Sequence, residues 1–266
     1  MRARPDHYPS SDSGSGSTTD IVAELLSSLP ASDSPVRAIL VGAHWTVLCS
    51  RHCGMASTVL ADEPHGHAEV RDVGRLHQKS ARELAELARS GNLLEASIGL
   101  AAINSLLDVD ERLAVELNAA EILVRRGEGK RVALVGHFPF IPRLRQAAEQ
   151  LWVIEQRPAE GEYPAEAAGD LIPQADVVAL TGTVLINHTL DGLLGLCRPD
   201  AQVMVLGPST PLSTIFFDHG VSLLSGVRVV DEAAVLRTVG QGATFRRVQG
   251  VRLLTLCRDE WDASCQ

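Results

Sequence analysis

Four short apolar runs, RVALVG (131–136), LWVIEQ (151–156), ADVVALTG (175–182) and AQVMVLG (201–207), constrain this chain more than any other feature. Each is six to eight residues, with a core of mainly Val, Leu, Ile and Ala, and three of the four end in glycine. Runs of this length bounded by turn residues are strands, and the lack of polar alternation means that both faces are covered. Between and after them lie segments of helical type, PRLRQAAEQ (142–150), NHTLDGLLGLC (187–197), TPLSTIFFDHG (210–220) and EAAVLRTVG (232–240), and VRLLTL (251–256) closes the series as a strand. Strand–helix alternation with doubly buried strands gives a parallel sheet. Residues 128–258 therefore read as a Rossmann-like domain.

The preceding hundred residues follow another rule. IVAELLSSL, entered through Asp20 as N-cap, is a short helix. VRAILVGAHWTVLCS holds two strand-type runs broken at Gly42, and MASTVLA supplies a third. SARELAELARS, with Gly91 as its C′ glycine, LLEASIGLAAINSLLD and DERLAVELNAAEILVRRG then read as three helices. Strands followed by helices make residues 20–127 an α+β unit. Residues 1–19, which include PSSDSGSGSTT, and residues 259–266 read as tails, the first of them disordered.

Composition narrows the function classes. The net charge of −9, from 33 acidic and 24 basic side chains, argues against a nucleic-acid partner. No apolar stretch approaches the roughly 20 residues of a membrane span, and no apolar segment follows the N-terminal arginines, so the expected location is the cytoplasm. Five cysteines spread along the chain are no disulfide framework and agree with a reducing compartment.

In an open parallel sheet, ligands bind beyond the carboxyl ends of the strands, where strand order reverses. The residues there are Gly136, His137 and Phe138; Glu155; Thr181, Gly182 and Thr183; and Gly207, Pro208, Ser209 and Thr210. Each loop alone is a tight turn, but the set converging on one rim is a pocket for a small molecule with an anionic group. A dinucleotide fingerprint wants three glycines, and here Pro139 and Pro142 stiffen the turn after Gly136. A nicotinamide dinucleotide is thus disfavoured, whereas an adenosine-type ligand is allowed, with Glu155 on its ribose. His137, on a loop, is the acid–base candidate. Asn187 is an N-cap candidate with Asp191 one turn inside, and Asn104, near a buried helix face, needs polar partners.

A second cluster, HWTVLCSRHCGM, holds His44, Cys49, His52 and Cys53, with His65 and His67 downstream. These are donor types that zinc and softer divalent metals prefer, although C-x-x-H-C is no standard zinc spacing. Buried cysteines with surface histidines are the plainer reading.

EASIGLAAINSLL (95–107), VALVGHFPFI (132–141), VIEQRP (153–158), ADVVALTGTVLINHTLDGLL (175–194) and VMVLGPSTPLS (203–213) together resemble the heavy-metal chelation domain family. HWTVLCSRHCGMASTV (44–59) is similar to that family's small companion domain. The resemblance spans about residues 20–256. It implies an enolase N-terminal-like domain, then a Rossmann-like domain, with the site in the cleft between them. On matching positions it brings Gly136, His137, Phe138, Glu155, Thr181, Gly182, Thr183, Asn187, Gly207, Ser209 and Thr210 to the pocket, with Asn104 facing it.

Three functional readings follow. The first is a small-molecule-binding protein or enzyme handling a metal chelate or metal-chelating metabolite in the cleft. The second is an adenosylmethionine-dependent transferase or other nucleotide-ligand enzyme. The third is a metal carrier built on His44, Cys49, His52 and Cys53. A homodimer is the expected assembly for this architecture.

Overall fold

The computed structural model describes residues 20–32, 34–61 and 69–258. The tails and the His65 and His67 pair lie outside the described residues. The elements run α1 (Ile21–Ser28), β1 (Ala38–Val41), β2 (Trp45–Cys49), β3 (Cys53–Ser57), α2 (Ala81–Ala85), α3 (Leu93–Leu106), β4 (Ala114–Val115), α4 (Ala119–Arg126), β5 (Arg131–Val135) and α5 (Ile141–Ala147). They continue with β6 (Gln150–Glu155), β7 (Tyr163–Pro164), α6 (Ala168–Leu171), β8 (Val177–Thr181), α7 (Leu190–Gly195), β9 (Gln202–Leu206), α8 (Ile215–Asp218), β10 (Val221–Val229), α9 (Glu232–Gly240) and β11 (Val251–Cys257). Short 3-10 turns fill several of the joins.

Two sheets result: an antiparallel one in the order β1-β2-β3, and an eight-stranded one in the order β4-β11-β10-β9-β8-β5-β6-β7. From β10 to β7 every neighbouring pair is parallel, while β11 and β4 join antiparallel at one edge. Strand order reverses between β5 and β8, because the chain leaves β5 outward to β6 and β7 before it returns to β8. The fold is thus α/β, with an antiparallel unit preceding a mostly parallel sheet.

Helix α3 is the spine of the first unit. Its residues are apolar all round and almost all buried, as expected for a helix with no solvent face. Close approach on two sides requires glycine. A Cβ on Gly99 would lie 1.9 Å from Ala88 N, and one on Gly54 of β3 would lie 2.2 Å from Ala101 O. The amino end of α3 is fixed by Asn92, whose side chain accepts from Leu94 N and Glu95 N. Glu95 itself is 2% exposed. It accepts from Arg71 N at 2.7 Å, from the Arg71 guanidinium at 2.9 and 3.0 Å, and from Ser90 Oγ at 2.6 Å. Burial pushes this carboxyl up, but those donors prevail and hold it at about 2.

The units share one core, in which α3, β2 and α1 pack with side chains of β5, β8 and β9. A smaller cluster joins Val47, Cys49, Cys53 and Met55 of the first sheet to Val235 and Val239 of α9. At the amino end of the parallel sheet, Asp176 takes three hydrogen bonds from Arg131 and one from Arg198, which hold its carboxyl far below the usual range. That network lies opposite the strand ends that face the cleft.

Several sequence expectations are corrected. The segment 110–127 is not one helix. Ala114 and Val115 pair with Leu256 and Thr255 of β11, and Asn118 starts a new helix by accepting from Ala120 N. VSLLSGVRV, to which the sequence reading assigns no element, is a nine-residue strand between β9 and β11. The closing strand β11 is antiparallel rather than parallel. The helix before Gly91 tightens into a 3-10 turn and ends at an extended C-cap, Ser90, so Gly91 follows the cap as expected but without the left-handed conformation of a Schellman or αL cap.

Candidate functional site

A cleft of about 640 Å³ opens over the carboxyl ends of β5, β6, β8 and β9, at the strand-order reversal. The big sheet contributes Gly136, His137, Phe138, Glu155, Thr181, Gly182, Thr183, Asn187, Gly207 and Ser209. Trp45, Ser57, Val59 and Leu93 of the first unit face them, and Thr244, Phe245 and Arg246 close one side.

Gly136 leaves β5 at φ +110°, a conformation that side chains rarely tolerate, and a Cβ there would meet Thr181 Cβ at 2.8 Å. Two neighbouring strand ends therefore touch without a side chain between them. Thr181 accepts from Thr183 N and Thr183 Oγ1, which turns the chain tightly after β8. Beyond Gly136, Phe138 stacks on Phe140 with ring centroids 5.1 Å apart.

The two units are sewn together along the cleft floor. Ser209 Oγ accepts from Ser57 N at 2.8 Å and lies 2.9 Å from Ser57 Oγ. Asn104 Nδ2 donates to Met55 O and Ser209 O, at 2.9 and 3.2 Å. Asn104 thus finds the polar partners that its buried helix requires, and its side chain is spent on the seam. Thr210 sits behind this wall, 2% exposed, with its hydroxyl beside Gly182 and without a hydrogen-bond partner. Asn187 lines the cleft but does not cap α7. Its Oδ1 accepts from Thr189 Oγ1, and Thr189 holds the cap position.

The polar groups of the cleft differ in kind. Glu155, half-buried at the end of β6, has its carboxyl raised by burial, with Glu162 adding repulsion against the lowering effect of Gln156 N–H and His137. His137 Nδ1 lies 3.0 Å from Glu162 Oε1, a carboxylate only 8% exposed, so the imidazole is oriented by an anchored partner. Trp45 Nε1 is buried without a hydrogen-bond partner. Arg246 is exposed and has no ion-pair partner among the described residues, in a chain whose net charge is negative. Trp45, Ser57, Thr244, Phe245 and Arg246 went unrecognised in the sequence. The available signal was Phe245-Arg246-Arg247, an aromatic beside two cations in an acidic chain.

The Cys/His group separates into three places. His44 is exposed in the turn before β2. His52 receives a hydrogen bond from Arg228 on Nδ1 at 3.3 Å and, as that tautomer requires, donates from Nε2 to Asp108 at 2.9 Å. Cys49 and Cys53 are cross-strand partners joined as a disulfide, a local clip rather than a framework. Their sulfurs and a carboxylate oxygen of Glu232 lie within 4.8 Å of one another. Among the described residues this is the one group of three metal-type donors so close together. Heavy metals favour thiolates, and the cleft offers mostly hydroxyl and carboxylate oxygens. As a disulfide the hairpin pair offers no thiolate, but reduced it would present softer donors than the cleft does.

Fold and cleft together define an α/β protein with a ligand-sized opening where a mostly parallel sheet meets a small antiparallel one. Residues 118–257 match the model of a family described as "Putative heavy-metal chelation", and residues 22–107 match a second model with the same description. The chain belongs to this family. An uncharacterized protein of Methanocaldococcus jannaschii is 27% identical over 185 residues, which is 67% of this chain and 70% of that protein. The crystal structure of a family member of unknown function from Desulfitobacterium hafniense superposes with a TM-score of 0.79 at 28% identity, covering 90% of this chain and 98% of that one. Another, from Pyrococcus horikoshii, gives 0.75 at 20% identity over 90% and 98% of the two chains and bears on the fold alone. No helix is long and apolar enough to cross a membrane among the described residues.

Proposed function

We propose that the cleft binds a small anionic metabolite of the metal-chelating class, free or as its metal complex. The observation that carries this reading is the presence in one cleft of ligand size of both Arg246, a cation with no ion-pair partner among the described residues, and a half-buried carboxyl, Glu155. Arg246 and the orphan Trp45 Nε1 donate to the anionic end of the ligand. Glu155 takes a hydroxyl or amine, and the rings of Phe138 and Phe245 cover the carbon skeleton. His137, oriented by Glu162, is the group for proton exchange with the ligand.

A second reading is an adenosine-type ligand such as adenosylmethionine. The placement of Glu155 favours it, on the strand beside β5 and at the rim where acidic residues take ribose hydroxyls.

Calorimetric titration tests both. Wild type, Glu155→Gln and Arg246→Ala are titrated with citrate, with its ferric and nickel complexes, and with adenosylmethionine. The chelator reading predicts citrate-type binding weakened about tenfold or more by either substitution, or about 1.4 kcal/mol. Adenosylmethionine binding sensitive to Glu155→Gln but not to Arg246→Ala selects the second reading. Binding indifferent to both substitutions, or no binding of any of these ligands, refutes both assignments.

A further inference from the structure

We propose that Cys49, Cys53 and Glu232 form a binding site for a soft heavy-metal ion, closed while the cysteines are a disulfide and opened by its reduction. The site stands apart from the cleft. Cys49 is four residues along β2 from Trp45, about 13 Å at the rise of a strand, and neither cysteine lines the cleft.

Cys49 and Cys53 face each other across the β2–β3 ladder, so both side chains leave the same face of the sheet. What holds them there is not the sulfur–sulfur bond alone. Ser50 N donates to His52 O across the hairpin turn at 2.6 Å. Ser50 Oγ lies 2.6 Å from Ser105 Oγ, and His52 N donates to Ser105 O at 2.9 Å. Arg51 and His52 both bond Asp108, just beyond α3. Five hydrogen bonds to Ser105 and Asp108 thus pin the turn to the carboxyl end of α3, and none of them depends on the disulfide. The two thiols remain side by side as a preformed chelating pair.

The third donor comes from far along the chain. Glu232 opens the first turn of α9, and α9 packs on β1 and β2 through Val235 and Val239. Its carboxylate is held by both terminal nitrogens of Arg37, whose Nε in turn donates to Ser50 O. Arg37 therefore ties Glu232 to the hairpin turn that carries the cysteines. Cys49 is fully buried and Cys53 is 6% exposed, with Val47 and Met55 alongside. Glu232 and Arg37 are the exposed members, which makes their side the entrance.

Two molecules of a low-molecular-weight thiol are oxidised to their disulfide, and the two electrons and two protons they release convert the Cys49–Cys53 disulfide to two thiols. A divalent cation then binds both sulfurs and displaces two protons. Glu232 turns one oxygen from Arg37 to the cation as a third donor, and the Arg37 guanidinium stays beside the resulting anionic complex as its counter-charge. Thiolate donors select for soft ions of the cadmium and mercury type over magnesium or calcium.

The test uses the full chain, oxidised and after reduction under anaerobic conditions, titrated with cadmium. The expected result is one cadmium ion per reduced chain by native mass spectrometry, with a thiolate-to-metal charge-transfer band in the ultraviolet. The oxidised chain shows neither. Cys53→Ser abolishes the band, and Glu232→Gln weakens binding about tenfold while leaving two reducible thiols countable. A reduced wild type that binds no cadmium overturns the proposal. So does a Cys53→Ser protein that binds as tightly as wild type, because Cys197, Cys257 or Cys265 then holds the ion. Should Cys53→Ser fail to fold, a variant with Cys197→Ser, Cys257→Ser and Cys265→Ser replaces it: retained cadmium binding is expected, and loss of binding overturns the proposal. Citrate binding in the cleft is unaffected by Cys53→Ser, so failure here is distinguishable from failure of the cleft reading.

Discussion

Replacing Glu95 by Gln keeps the shape of a buried side chain and removes its charge, which isolates the electrostatic share of the anchor between α3 and the Arg71 segment. An unperturbed glutamic acid titrates near 4.3, and Glu95 is held at about 2. That gap is equivalent to about 3 kcal/mol of preference for the folded carboxylate. Arg71 is 67% exposed, so solvent and salt screen its half of the pair. About 2 kcal/mol is then the expected loss in Glu95→Gln at neutral pH. The folded value is the depressed one, so the contribution is complete above the unfolded value and disappears as pH falls through the folded one. The stability difference between wild type and variant should be flat down to about pH 5 and shrink steadily toward about pH 2. Urea denaturation of both proteins across that range measures it, and the subtraction cancels the other carboxylates. A difference that stays constant with pH, or a variant as stable as wild type at neutral pH, would show that the anchor is not electrostatic.

Two further substitutions probe the frame of the cleft. Gly99→Ala places a methyl 1.9 Å from Ala88 N, a backbone atom that cannot step aside. The expected cost is about 3 kcal/mol or more, seen as a fall in Tm of about 6–12 °C; an unchanged Tm refutes the close approach. Ser209→Ala leaves Ser57 N–H without its acceptor at the seam between the units. A loss of about 1–3 kcal/mol in urea unfolding is expected, together with weaker citrate binding in the cleft, and a change in neither contradicts the seam.

The strand-end residues were legible because their chemistry is local. A strand of unbroken Val and Leu must be buried on both faces, and a parallel sheet opens its loops at one rim. Gly136, Glu155, Thr181 and Gly207 could therefore be named before any coordinate was known, and all four line the cleft. Asn104 was legible for a related reason, since a buried amide must find partners. The strand β10 was not. Its Ser-Gly pair resembles a turn, and only pairing with β9 on one side and β11 on the other keeps it extended. The helix expected over 110–127 failed in the same way, because the edge of β11 recruits Ala114 and Val115.

By itself the sequence determined the α/β class and the strand-end rim and marked a Cys/His cluster at 44–53, because periodicity and donor chemistry act over a few residues; the pairing of Cys49 with Cys53 came from the strand register. Tertiary structure alone decided which distant side chains complete each site. Arg246 reaches the cleft from a loop after α9, and Glu232 reaches the cysteines from the first turn of that helix. Nothing in the spacing of either residue announces its partner, since one docking event, α9 against β1 and β2, brings Glu232 to the thiol pair and carries the loop bearing Arg246.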